Sequence, residues 1–206
     1  MESPKSKFTK VYRSGGFGGQ ESLSGFGSDL IPTTTIREQL PLLFEALNVR
    51  ILLDAPCGDF YWMGKIKLRL EKYIGVDIVS ELIQRNREKY GNEIREFRCI
   101  DLRKDKLPAV DLILCRDCLA HLSFKDIFMV LRNFKKSDSK YLLATHHPTK
   151  TINEDTVTGF WRTLNFLLPP FDFPESLYTI NEKCTEQNGE LADKSLALWR
   201  LEDLKL

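Results

Sequence analysis

Four short strand-like stretches, three with continuous apolar runs and one alternating, each closing on an acidic residue, constrain the fold of this chain more than any other feature. They are ILLD at 51–54, YIGVD at 73–77, FRCID at 97–101 and LILCRD at 112–117. Apolar runs of this length, bounded by turn signals, read as buried strands. Between them lie stretches of helical period. Ile36, Leu40, Leu43, Phe44 and Leu47 share one face, with Thr33, Thr34 and Thr35 as N-cap candidates. Pro41 inside that stretch predicts a kink or a late helix start. Leu82, Ile83, Asn86 and Tyr90 form a second face behind Ser80 as cap. Residues 123–134 open with a Ser-x-x-Asp cap and align Ile127, Val130, Leu131 and Phe134.

YLLAT at 141–145 is a further buried strand, and strands alternating with helices imply a parallel sheet covered on both faces. Residues 147–175, with Pro148, Pro169, Pro170 and Pro174, lose all period and read as an excursion over the sheet. LYTINEKC at 177–184 and SLALWRLE at 195–202, joined through QNGE, predict a closing hairpin. The expectation is one α/β domain over 33–206, with a seven-stranded, mostly parallel sheet and a reversed last strand. Before it, residues 1–32 are rich in Gly and Ser, with GGFGG at 15–19 and SGFGS at 24–28. That composition suits a plain tail. Phe8, Tyr12, Phe17 and Phe26 equally suit a flap that orders over a ligand.

A chain of 206 residues fits a single domain. The balance of 30 basic against 29 acidic side chains argues against a general nucleic-acid coat. No apolar run is long enough for a spanning helix, and the first residues lack the apolar core of a secretory signal. Five scattered cysteines (Cys57, Cys99, Cys115, Cys118, Cys184) read as reduced thiols, which suggests a cytoplasmic setting. Cys115-x-x-Cys118 with His121 lacks an evident fourth ligand, so no metal is expected.

In doubly wound sheets, ligands bind beyond the carboxyl ends of the strands. Here those ends carry residues 54–60, Asp77-Ile78, Asp101-Leu102 and residues 116–121. Asp77 stands 19 positions after Gly58, close to the spacing of an acid that takes ribose hydroxyls. A dinucleotide loop would need three glycines, yet Pro56 and Phe60 occupy two of those places and Asp59 adds an anion. NAD and ATP are therefore disfavoured. A cationic, phosphate-free adenosine ligand suits the acidic ends.

LLDAPCGDF, YIGVDI, FRCIDL and DLILCRDCLAHLS resemble, in order and spacing, the ligand-binding motifs of class I S-adenosylmethionine-dependent methyltransferases. The resemblance covers roughly residues 36–145 and implies a Rossmann-like fold with S-adenosylmethionine as cofactor. The opening loop departs from the family's commoner Gly-x-Gly-x-Gly. Residue by residue, Asp54 and Gly58 would wall the methionine part, Asp77 would take the ribose and Ile78 would pack on adenine. Asp101 would accept from the adenine amino group, Leu102 would lie against the ring, and Cys115 and Arg116 would line the sulfonium end. The activity implied is methyl transfer to oxygen or nitrogen of a small polar acceptor. The alternative is a catalytically silent relative that senses the ligand or serves as a partner subunit.

Asp117 and His121 stand four residues apart, so one helical turn would bring them together as an oriented general base. The duller reading has Asp117 capping a helix and His121 packed beneath it. Trp161 and Arg162 suit stacking on, and pairing with, the acceptor. His146 and His147 are expected at a solvent-exposed loop start.

Overall fold

The computed structural model describes residues 2–206, which divide into two compact units, one running to Asp101 and the other from Leu102 to Leu206. The first unit begins with α1 (Pro4–Arg13), which Ser3 caps by accepting the Ser6 amide at 3.2 Å. Then come α2 (Thr34–Ala46), β1 (Ile51–Asp54), β2 (Lys72–Asp77), α3 (Ser80–Tyr90) and β3 (Arg95–Cys99). Ile36, Leu40, Leu43 and Phe44 are the buried stripe of α2, as their spacing predicts.

Pro41 neither delays that helix nor ends it. Thr33 flanks α2, but its hydroxyl does not cap the helix; it donates back to the Asp29 carbonyl at 2.7 Å. Nor does Ser80 cap α3, being its first helical residue. The Val79 amide ahead of it is bonded by the Asp77 carboxylate at 2.9 Å. β1 and β3 both pair with β2 in parallel, so Asp54, Asp77 and Asp101 all fall at or just past carboxyl ends.

The second unit holds β4 (Leu112–Cys115), α4 (Phe124–Lys136), β5 (Tyr141–His146), β6 (Tyr178–Asn181) and β7 (Ser195–Arg200). Ser123 caps α4 as predicted, accepting the Asp126 amide at 3.2 Å. β4 and β5 run parallel, whereas β7 is antiparallel to both β5 and β6. The strand order is β3-β2-β1-β4-β5-β7-β6, a mostly parallel α/β sheet with a reversed last strand. The excursion after β5 is a hydrophobic strap. Phe166, Phe171 and Phe173 are buried, and Phe173 meets Trp199 of β7 edge-on with centroids 5.4 Å apart. Among the described residues no helix is long and apolar enough to cross a membrane.

Candidate active site

In the first unit the turn after β1 carries two left-handed residues, Gly58 (φ 51°) and Phe60 (φ 59°). Glycine adopts this conformation freely; phenylalanine does so at a cost of order 1–3 kcal/mol. Aromatic packing offsets the cost, since the Phe60 ring lies 4.9 Å from Tyr73, 5.1 Å from Tyr90 and 5.3 Å from Phe97. Asn86 of α3 ties the turn down, donating to the Gly58 carbonyl at 2.7 Å. Asp54 turns inward instead and accepts the Tyr73 hydroxyl at 2.6 Å.

Asp77 ends β2 buried, and its carboxylate accepts backbone amides of Gly58, Ile78 and Val79. Burial nevertheless pushes it up to about 6, outweighing those donors. Ile78 is half-buried beyond it, and Asp101 is likewise half-buried past β3.

Asp59 has a role that composition does not disclose. Its carboxylate accepts the Ser22 hydroxyl at 2.9 Å, the Leu23 amide at 2.8 Å and the Ser24 hydroxyl at 3.2 Å. Asp29 gathers the amides of Gln20, Glu21 and Ser22 at 2.9–3.0 Å. The Gly-rich stretch is thereby fastened over the β1 turn. A Cβ on Gly58 would come within 2.1 Å of the Ser24 hydroxyl oxygen, so any side chain there would displace that hydroxyl from Asp59. Asp59→Ala strands these donors and should cost about 1–3 kcal/mol. Faster hydrogen exchange at the Leu23 and Ser24 amides would report the release; unchanged exchange would show that other contacts hold the strap.

In the second unit, Cys115 closes β4 buried, and Leu102 is buried with its carbonyl bonded by Asn133 at 2.8 Å. The Arg116 guanidinium is taken up by Glu182 in a two-pronged ion pair of 3.0 and 2.7 Å. Asp117 follows in the left-handed region (φ 51°), its amide bonded to the Thr145 hydroxyl at 2.8 Å. Its carboxylate meets Lys194 at 2.7 Å and Arg116 at 3.2 Å. Burial opposes its ionisation, but the Lys194 and Arg116 charges win and hold the carboxyl below the usual range.

His121 ends a 3-10 turn (Leu119–His121), so no α-helical turn links it to Asp117. Burial pushes its imidazole below the usual value, and Arg162 and Lys194 add to that against the opposing charge of Asp117. The turn is clamped from outside. Arg162 donates to the Leu119 carbonyl at 3.1 Å and the Ala120 carbonyl at 2.7 Å, and the Gly159 amide donates to the His121 carbonyl at 2.8 Å. Trp161, between those anchors, is 40% exposed.

His146 and His147 are buried, contrary to the expected exposure. His146 accepts the Phe166 amide at 3.2 Å, and His147 pairs with Asp193 at 3.1 Å, because the strap folds back over both. No group of three His, Cys, Asp or Glu side chains among the described residues is placed to hold a metal. Glu182 and Lys194, at the far ends of β6 and before β7, had no local signal in the sequence.

Residues 53–137 match the family described as "Methyltransferase domain". No curated protein matches the chain in sequence. The fold matches N-methyltransferase NodS from Bradyrhizobium japonicum in complex with S-adenosyl-L-homocysteine, at 15% identity and TM-score 0.65, over 94% of this chain and 97% of that one. It also matches Haemonchus contortus phosphoethanolamine N-methyltransferase 1, at 11% identity and TM-score 0.65, over 96% of this chain and 48% of that one. For the methyltransferase domain of a bacterial Hen1 the TM-score is 0.48 at 11% identity, over 56% of this chain, which spans 66% of that one. The architecture is the class I methyltransferase fold. Residues 53–137, less than half of the chain, carry the match to a methyltransferase domain, and a domain of that kind implies S-adenosylmethionine as cofactor.

Asp59 and Asp77 place buried carboxylates at the β1 turn and at the end of β2, and a side chain on Gly58 would meet Ser24. Acids of this kind attract a sulfonium and repel a phosphate.

Proposed function

We propose that the protein transfers the methyl group of S-adenosylmethionine to an oxygen or nitrogen of a small polar acceptor. The observation that carries the reading is Asp77, a buried strand-end carboxylate steadied by three backbone amides. In this reading it accepts the ribose hydroxyls, Ile78 packs on adenine, and Asp101 accepts from the amino group. Gly58 and Asp54 wall the methionine part. For Leu102, Cys115 and Arg116 the family resemblance supports cofactor roles. With its guanidinium on Glu182, Arg116 contributes through backbone and shape.

When bound, the cofactor would supply a methyl group on a sulfonium sulfur, which would leave as a neutral thioether. The chain must align the acceptor and remove its proton. His121, kept neutral by burial, takes that proton, and Asp117 sets its surroundings. Trp161 offers an exposed face to the acceptor, while Arg162 serves it by holding the His121 turn.

Asp77→Ala should weaken S-adenosylmethionine binding by about 1.5–3 kcal/mol, the range for hydrogen bonds to a charged group. The parent's affinity has a pH signature as well. Ribose hydroxyls donate to the ionised form, so affinity should fall as pH drops through about 6 and level off above it. Titration calorimetry across pH 5–8 reads both effects. Tight NAD binding, or affinity indifferent to Asp77, would remove the reading.

A further inference from the structure

Lys194 is 5% exposed, and its ammonium meets a carboxylate 77 positions earlier in the chain. Burying an ammonium is expensive, and an apolar contact would tie the start of β7 to the end of β4 at lower cost. Two cations and two anions gather at this point. Arg116 and Glu182 satisfy each other, Lys194 lies 3.7 Å from Glu182, and its short contact is with Asp117. Asp117 is the most exposed member, with its side chain 28% open, and its charge acts on His121.

An ionised carboxylate near an imidazole draws a proton onto it, and a protonated base accepts nothing. An ammonium bonded to that carboxylate cancels part of its field. We propose that Lys194 tunes His121 by offsetting the charge of the Asp117 carboxylate to which it is bonded, so that His121 stays neutral and able to take the acceptor's proton. The inference rests on His121 being the base of the proposed reaction.

Among the charges acting on His121, Asp117 favours its protonation, and Arg162 and Lys194 oppose it. Without Lys194, Asp117 keeps Arg116 at 3.2 Å and the Thr145 bond to its amide, so its carboxylate stays in place with less opposing it. Loss of the ammonium should therefore raise the His121 midpoint, and loss of the carboxylate should lower it. Two opposite shifts from one ion pair are not what a purely structural tie would give.

The test is an NMR titration of the imidazole protons in the full chain, with His121 assigned by His121→Gln. Lys194→Met should move the His121 midpoint up by roughly half a unit or more, and Asp117→Asn should move it down. Lys194→Arg should leave it in place. If Lys194→Met does not fold, Lys194→Gln carries the same expectation. A midpoint that stays put or falls when the ammonium is removed overturns the proposal. Calorimetry of the parent with S-adenosylmethionine decides the methyltransferase reading separately, because the histidine titration needs neither cofactor nor acceptor.

Discussion

Glu182→Ala is expected to lower the unfolding free energy by about 3–5 kcal/mol, the usual cost of stranding one partner of a buried ion pair. Glu182 is 3% exposed and holds both prongs of Arg116, while Lys194 lies 3.7 Å away. Its removal leaves Asp117 as the one carboxylate in this group facing two buried cations. Arg116 cannot shed its proton to escape, since a guanidinium stays charged in proteins. Replacing both members at once, as Arg116→Met with Glu182→Leu, should cost less than the single change. Urea denaturation of the three variants makes the comparison. A loss under about 1 kcal/mol for Glu182→Ala would mean that water reaches the pair and screens it.

His121→Ala should reduce turnover by about 10²–10⁴-fold, the range for removing a general base. Affinity for S-adenosylmethionine should barely change, because the imidazole acts on the acceptor. The 3-10 turn should survive the substitution, since Arg162 and Gly159 bond to its carbonyls and ask nothing of the ring. Turnover at the parent rate would leave alignment alone to carry the reaction and make His121 a packing residue.

The strand ends were legible because their signal is local. An apolar run, a carboxylate and a glycine within eight residues specify Asp54, Gly58 and the first turn, and the same grammar finds Asp77. Partners that meet across long separations leave no such trace. Nothing near Arg116 announces Glu182, 66 positions on, or shows that Asp117 answers to Lys194. His146 and His147 were misjudged for the same reason, since their cover arrives from the strap. Asp59 was visible as an anion hostile to phosphate, but its hold on Ser22 and Ser24 spans 35–37 positions and needs the folded chain. The Asp117–His121 interval misled differently, because spacing presumes a helix and a left-handed residue breaks it.

The placement of Glu182 and Lys194 also bears on how the chain is made. Arg116 enters the interior with β4, but its counter-charge belongs to the hairpin near the end of the sequence, β6 and β7. During synthesis from the N-terminus, Arg116 has Asp117 beside it but lacks the Glu182 fork, and Asp117 lacks its ammonium, until that hairpin emerges and docks. The turn bearing His121 therefore acquires its electrostatic setting only when the last strands are in place. A ribosome stalled before residue 182 would hold a chain whose second unit is poorly stable and open to proteolysis, so emergence of that hairpin acts as the checkpoint on assembly.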